Sequence, residues 1–446
     1  MKMLSKIIQT IFLAILAQST FAQLSPVITC WQQNTTEIGF ADALTNVQAV
    51  NYSETYAYVK TEDIPFWIPI VYDWPNNPWF AVPMNYQFRF RLNPTPNVGP
   101  ETKTGYGHIG LWKNGSSIYN PKDAKSFEAE EVWFQNAWYW EHLLGETFDH
   151  CLGHPNGSGE YHTHVSPACL YNIEDSLQVS PLIGYGFDSY PIYGGYGYED
   201  PMNTTSAIVR LKSSYRLRNI TDRTVLPDGT VLPASQYGPA IGPHNSTSTN
   251  VSLDDSPLAA PLGTYMEDYE YVEGLGDLDE HNGRLCITTD YPEGTYAYFT
   301  TLDWVTDIYG TGIKPVFPFV IGTAYYGEVY PMDGNTGPNS GFVEITEPVT
   351  PYVYTVASIT AEESSLEINI YPNPISNLLN IQVNGGNPLE TMSASIFNIN
   401  AALVNRFTIV PGIINSYKVG KLANGIYYLQ LRTSTNLITH RLVVTK

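Results

Sequence analysis

Four of the nine histidines and two of the four cysteines fall between Asp149 and Leu170. Imidazole nitrogens are good ligands for zinc and copper. His162 and His164 stand two apart in the run Tyr161-His162-Thr163-His164, which reads as a strand. Alternate strand residues share a face, so the two rings are expected side by side, with Cα atoms roughly 6.5–7 Å apart. At that spacing both can reach one ion through bonds of about 2.0–2.1 Å. The turn Asn156-Gly157-Ser158-Gly159 lets His154, and with it His150, fold back toward the pair. Gly153 and Pro155 argue against a helix, so His150 and His154 are not a helical i, i+4 pair. His281 is a more distant candidate. Asp277, Asp279 and His281 alternate like the start of a calcium loop, but Asn282 and Thr288 occupy the positions where such a loop needs Gly and Glu. The expected ligands are therefore His154, His162 and His164, with His150 or His281 as the fourth, around zinc or copper. With three ligands the open position holds a water whose pKa zinc lowers toward about 7, and Glu160 or Asp188 would serve as base in a metal-dependent hydrolysis. The alternative is a structural histidine cluster, hydrogen-bonded around turns, in a surface adhesin or glycan-binding module.

The elements that must position these residues read as mainly β. Tyr86 to Leu92 alternates cleanly, and Phe66 to Ile70 also reads as a strand. Gly105 to Trp112, followed by Lys113-Asn114-Gly115-Ser116, is a strand-turn-strand signal. Asp123 to Leu144 is the best helical stretch, with Gly145 as its stop. The Gly/Tyr alternation from Gly184 to Tyr198 predicts tight turns covered by rings. Packing is the default use of such rings, and a stacking platform for a sugar or peptide is the functional alternative. Residues 227–263, rich in Pro, Ser, Thr and Asn, read as a long irregular insertion.

Lys and Arg number 22 against 43 Asp and Glu, a net charge of −21. That balance excludes a general nucleic-acid or anionic-membrane surface. Residues 1–22 carry the pattern of a secretion signal: Lys2 and Lys6, an apolar stretch from Ile7 to Ala17 too short to span a bilayer, and small residues before Gln23. No later stretch is apolar for long enough to cross a membrane. Four cysteines in a secreted chain are expected to pair, and three connectivities are possible. Cys151–Cys169 would staple the ends of the histidine segment, a loop worth roughly 3 kcal/mol on the chain-entropy account. Cys30 would then pair with Cys286. A cysteine ligating metal is the other possibility, although no Cys-x-x-Cys spacing is present.

Two resemblances become specific. Ile370-Tyr371-Pro372-Asn373-Pro374, Leu379-Asn380-Ile381, Phe397-Asn398, Leu422 to Leu429 and a basic terminal strand ending at Lys446 resemble the type A C-terminal sorting domain of the bacterial type IX secretion system. This implies a small Ig-like β-sandwich over 366–446, contact with the secretion machinery, and a secreted or outer-surface destination. The body is similar to the YHYH-domain proteins through Cys151, Gly153-His154-Pro155, Gly159 to His164, Pro167 to Leu170, Ser180 to Gly184, Asp188, Pro191 to Gly194, Leu278 to Arg284 and Pro292 to Tyr296. It departs at Thr163, where the signature has Tyr, and at Val179, where many members carry His. The resemblance names the body without naming a reaction. The organisation expected is a signal over 1–22, a YHYH domain with few short helices over 23–345, a linker over 346–365 and the sorting domain.

Overall fold

The structure is a computed structural model that describes residues 24–36, 38–68, 72–245, 257–336, 340–353, 367–384, 392–398, 403–410, 413–420, 422–432 and 437–446. The expected signal over 1–22 lies outside these residues. Strands dominate, as the alternating sequence requires.

The body is built on an eight-stranded mixed sheet. Its spatial order is Gly283–Cys286, Thr295–Phe299, Pro191–Tyr193, Leu182–Gly186, His108–Trp112, Ser117–Tyr119, Tyr161–Thr163 and His154–Pro155. The hairpin expected after Trp112 forms, with Leu111 opposite Ser117. Gly115 turns it at φ +83°, a conformation that favours glycine. Tyr86–Arg91 belongs to a second, antiparallel sheet, where its period of two is obeyed. Phe88 and Phe90 are fully buried, while Arg89 and Arg91 face Asp333. Thr350–Tyr352, inside the stretch read as a linker, adds an edge strand beside Val47–Tyr52.

Several expectations are corrected. Asp123 to Leu144 is not one helix. Lys122–Ser126 and Phe134–Asn136 pair as strands, and Glu128, Ala129 and Glu131 take positive φ between them. Beyond a single 3-10 turn at Phe127–Ala129, Trp138–Leu144 winds as a π-helical turn ended at Gly145, whose N–H bonds the Trp140 carbonyl. Phe66 to Ile68 turns rather than extends, with the Ile68 N–H on the Pro65 carbonyl at 3.3 Å; residues 69–71 lie outside the described set. The Gly/Tyr run offers no open platform, because Tyr185, Tyr190, Tyr193 and Tyr196 are all buried in the core.

Cys151 and Cys169 form the expected disulfide, their Cα atoms 5.2 Å apart. Cys30 and Cys286 do not pair. Cys30 closes the first helical turn, with its N–H on the Pro26 carbonyl at 2.9 Å. Burial pushes the Cys286 thiol up to about 11, against the opposing pull of Arg284 beside it.

The Pro-rich insertion is anchored by one buried ion pair. The Arg223 guanidinium grips both Asp268 carboxylate oxygens, at 2.8 and 2.9 Å. It also donates to the carbonyls of Pro239, Ala260 and Pro261. Asp268 in turn accepts the N–H groups of Gly263 and Tyr265. The C-terminal residues form a three-stranded and a four-stranded sheet around a shared apolar core that includes Leu379, Ile381, Ile396, Leu429 and Leu442. Among the described residues no helix is long and apolar enough to cross a membrane.

Arg223→Met keeps most of the volume and strands the Asp268 charge. It should cost about 3–5 kcal/mol in urea unfolding. An unchanged midpoint would show that the insertion is held by something else.

Candidate metal centre

His154 and His162 are directly opposed across an antiparallel strand pair. The turn that joins them is held by Asn156, whose side-chain oxygen accepts the N–H groups of Ser158 and Glu160. The approach to His154 is pinned from the other side. Asp149 accepts the N–H groups of Cys151 and Gly153 and the Tyr161 hydroxyl at 2.8, 3.1 and 3.0 Å. A Cβ at Gly153 would collide with that hydroxyl, so glycine lets the chain pass beneath Tyr161. Thr163 points to the other face and accepts the Trp112 indole N–H at 2.8 Å. Its departure from the signature tyrosine therefore leaves the histidines undisturbed. His164 lies one residue beyond the strand and bends back, so that the His162 and His164 Nε2 atoms are 3.2 Å apart.

The hydrogen-bond network assigns all three tautomers. Nδ1 of His162 meets the Glu160 carbonyl at 3.2 Å, and Nδ1 of His164 meets the Asn120 carbonyl at 2.6 Å. A carbonyl only accepts, so both Nδ1 atoms carry hydrogen. Nδ1 of His154 meets the Thr147 hydroxyl at 2.9 Å. That hydroxyl already donates to the Glu141 carbonyl at 3.0 Å, so it accepts from His154. In the neutral rings every Nε2 therefore presents a lone pair, and the three histidines can offer ligand atoms within 4.8 Å of one another.

A fourth acceptor joins them, and it was not foreseen from the sequence. Glu141, on the π-helical turn, places Oε2 3.0 Å from His164 Nε2 and 3.5 Å from His154 Nε2. The side chains are nearly or wholly out of solvent. Among the described residues His154 Nε2 and Glu141 Oε2 find no well-aligned hydrogen-bond partner beyond these contacts with each other and His164. Burial and the two neighbouring imidazoles hold the His162 ring well below its ordinary pKa. Burial opposes charge on Glu141 and His164 as well, yet each pulls the other toward its charged form: Glu141 well down, His164 up. A proton shared by that pair still leaves the other two lone pairs facing it.

A divalent ion would satisfy all four groups at once. Tetrahedral bonds of about 2.0–2.1 Å place donor atoms roughly 3.3–3.4 Å apart. The Glu141–His164, His162–His164 and Glu141–His154 separations, 3.0, 3.2 and 3.5 Å, bracket that value. Each imidazole also has the outer hydrogen bond that metal-bound histidine generally makes through its second nitrogen. Tyr119 stacks on His162, ring centroids 4.0 Å apart.

The remaining sequence candidates lie elsewhere. His150 packs against Cys151, with Nε2 3.3 Å from a sulfur that is already in the disulfide. His281 bonds the Ala324 carbonyl at 3.0 Å. Glu160 spends its carboxylate on the Tyr86 and Tyr119 hydroxyls and on His108. Asp188 accepts from the Tyr298 hydroxyl and from the Gly327 and Tyr190 N–H groups, and burial pushes it up to about 6. Neither carboxylate lines the cavity that opens over the histidines, so neither is placed to act there as a base. That cavity holds about 330 Å³ and is walled by Trp79, Tyr106, Tyr119 and Lys122 as well as the four acceptors. Val179 lines a different cavity of about 10 Å³.

The family model described as YHYH protein matches residues 87–309, half of the chain. The model described as secretion system C-terminal sorting domain matches residues 369–445. No curated protein matches the chain.

Thr147→Val removes the acceptor for the buried His154 Nδ1–H. Unfolding of the metal-free protein should become easier by about 1–3 kcal/mol. No loss of stability would overturn the tautomer assigned to His154.

Proposed function

This chain belongs to the YHYH protein family, and we propose that it is an exported metal-binding protein whose ion sits among His154, His162, His164 and Glu141. The sorting domain marks a secreted or cell-surface protein of the type IX secretion route. One observation carries the metal reading: three imidazole Nε2 atoms and a Glu141 carboxylate oxygen converge out of solvent, and even a proton shared by Glu141 and His164 leaves the His154 and His162 lone pairs facing it. An unpaired buried polar group costs roughly 1–3 kcal/mol, and more when charged. A fold that assembles four at one point needs a cation or extra protons to offset that cost.

Three imidazoles and a carboxylate suit zinc or copper. The three separations of 3.0–3.5 Å are compatible with zinc, which has no geometric preference of its own and is commonly four-coordinate. When bound, such an ion would have its four tetrahedral positions taken by the protein and would supply a positive charge beside the cavity. The chain's residues do the rest: Asn120, Thr147 and the Glu160 carbonyl orient the rings, and Tyr119 and Phe148 shield them.

The test uses the full chain, dialysed against metal-free buffer and then supplied with zinc or copper. Elemental analysis should find one ion per chain, lost in His162→Ala/His164→Ala and reduced in Glu141→Ala. Metal at about 100 times its Kd should add roughly 2.7 kcal/mol to the stability of the parent protein. A metal-free parent whose thermal midpoint ignores added metal would eliminate the proposal.

A further inference from the structure

We propose that the cavity over the histidines takes a small organic anion. Its carboxylate would face both the ion and Lys122, and its body would lie against Trp79. The inference rests on the metal reading above and goes further, to the class of ligand that the ion serves.

Charge comes first. The cavity walls carry Lys122, Asp123 and Glu141. With a divalent ion in place, the ion and Lys122 outweigh the two carboxylates by one positive charge. Without it the lining is negative by one. Anion uptake is therefore conditional on the ion.

Lys122 is half-buried among aromatic rings, with burial lowering its pKa against the pull of Glu267 and Glu131. Its ammonium lies 3.3 Å from the Phe134 ring centroid and 4.8 Å from that of Tyr106. Among the described residues it meets no carboxylate within ion-pair distance, so its donors are open to a ligand. Its backbone N–H bonds the Asn120 side chain at 2.8 Å, and the Asn120 carbonyl orients His164. One short segment thus fixes both the cation and a metal ligand.

Trp79 supplies the apolar wall. Trp79 is 51% exposed. The indole rests over Gly157, where an added Cβ would already touch it at 3.7 Å. Its backbone N–H bonds Asn77, which in turn donates to the Pro155 carbonyl at 2.9 Å beside His154. The ring is held at the lip with an open face. About 330 Å³ is at the small end of ligand cavities, enough for a single-ring molecule.

The experiment titrates the full-length zinc-loaded chain with benzoate and with its neutral analogue benzyl alcohol, after measuring the zinc content of every sample. Benzoate should bind at least about tenfold more tightly than benzyl alcohol, and only to zinc-loaded protein. Lys122→Met should weaken benzoate by about tenfold at full zinc content, and Lys122→Arg should restore it. Trp79→Ala should weaken benzoate while leaving zinc content unchanged. Equal affinity for the two probes, binding to zinc-free protein, or indifference to Lys122→Met at full zinc content would each overturn the proposal. A zinc-loaded parent that ignores benzoate defeats this inference alone, whereas a parent that holds no zinc defeats the metal reading and this inference with it.

Discussion

Lone-pair crowding at one buried point governs this protein. Three Nε2 atoms and one carboxylate oxygen meet within a few ångströms, and each is held there by a hydrogen bond or chain constraint on its far side. Acceptors alone repel, and the low dielectric of the interior strengthens that repulsion. The surrounding structure must therefore be stiff enough to hold them, or something positive must join them. The first condition is visible in the molecule, whose framework holds each ring from its far side; the second is the proposal made above.

The stiffness has identifiable sources. A cross-strand pair sets His154 against His162. The disulfide closes the segment from Cys151 to Cys169 and keeps the turn ahead of His154 from drifting. The π-helical turn brings Glu141 in from 13 residues before His154, and the Thr147 hydroxyl, bonded to the Glu141 carbonyl, locks that turn to His154. Tyr119 comes from the strand parallel to Tyr161–Thr163, so its ring lies over His162. Tyrosine abundance thus has a structural use, with most of the rings in the Gly/Tyr run filling the core beneath the sheet.

What could be read from the sequence was local. The strand alternation of Tyr86–Arg91, the Asn-Gly turn after Trp112, the fold-back of His154 and the Cys151–Cys169 pair all depend on neighbours within about twenty residues, where chain geometry leaves few choices. Glu141 could not be read in the same way. It lies in a stretch whose apolar spacing imitates a helix but which the structure spends on two strands, a bend with positive φ and a π turn. The usable signal was a lone carboxylate beside Trp138, Tyr139 and Trp140, a charge in aromatic surroundings that needs a partner. Asn120 and Thr147 were equally hidden, because they act through a carbonyl and a hydroxyl whose direction only the fold decides. Cys30 and Cys286 were paired by parity, yet the structure seats one at a helical turn and the other beside an arginine.

X-ray absorption at the zinc edge of the purified, zinc-supplied full chain tests this account most directly. It predicts one shell of nitrogen and oxygen at about 2.0–2.1 Å, with the outer scattering of three imidazole rings. A sulfur shell near 2.3 Å, or an ion ringed by water with no imidazole signal, would contradict it.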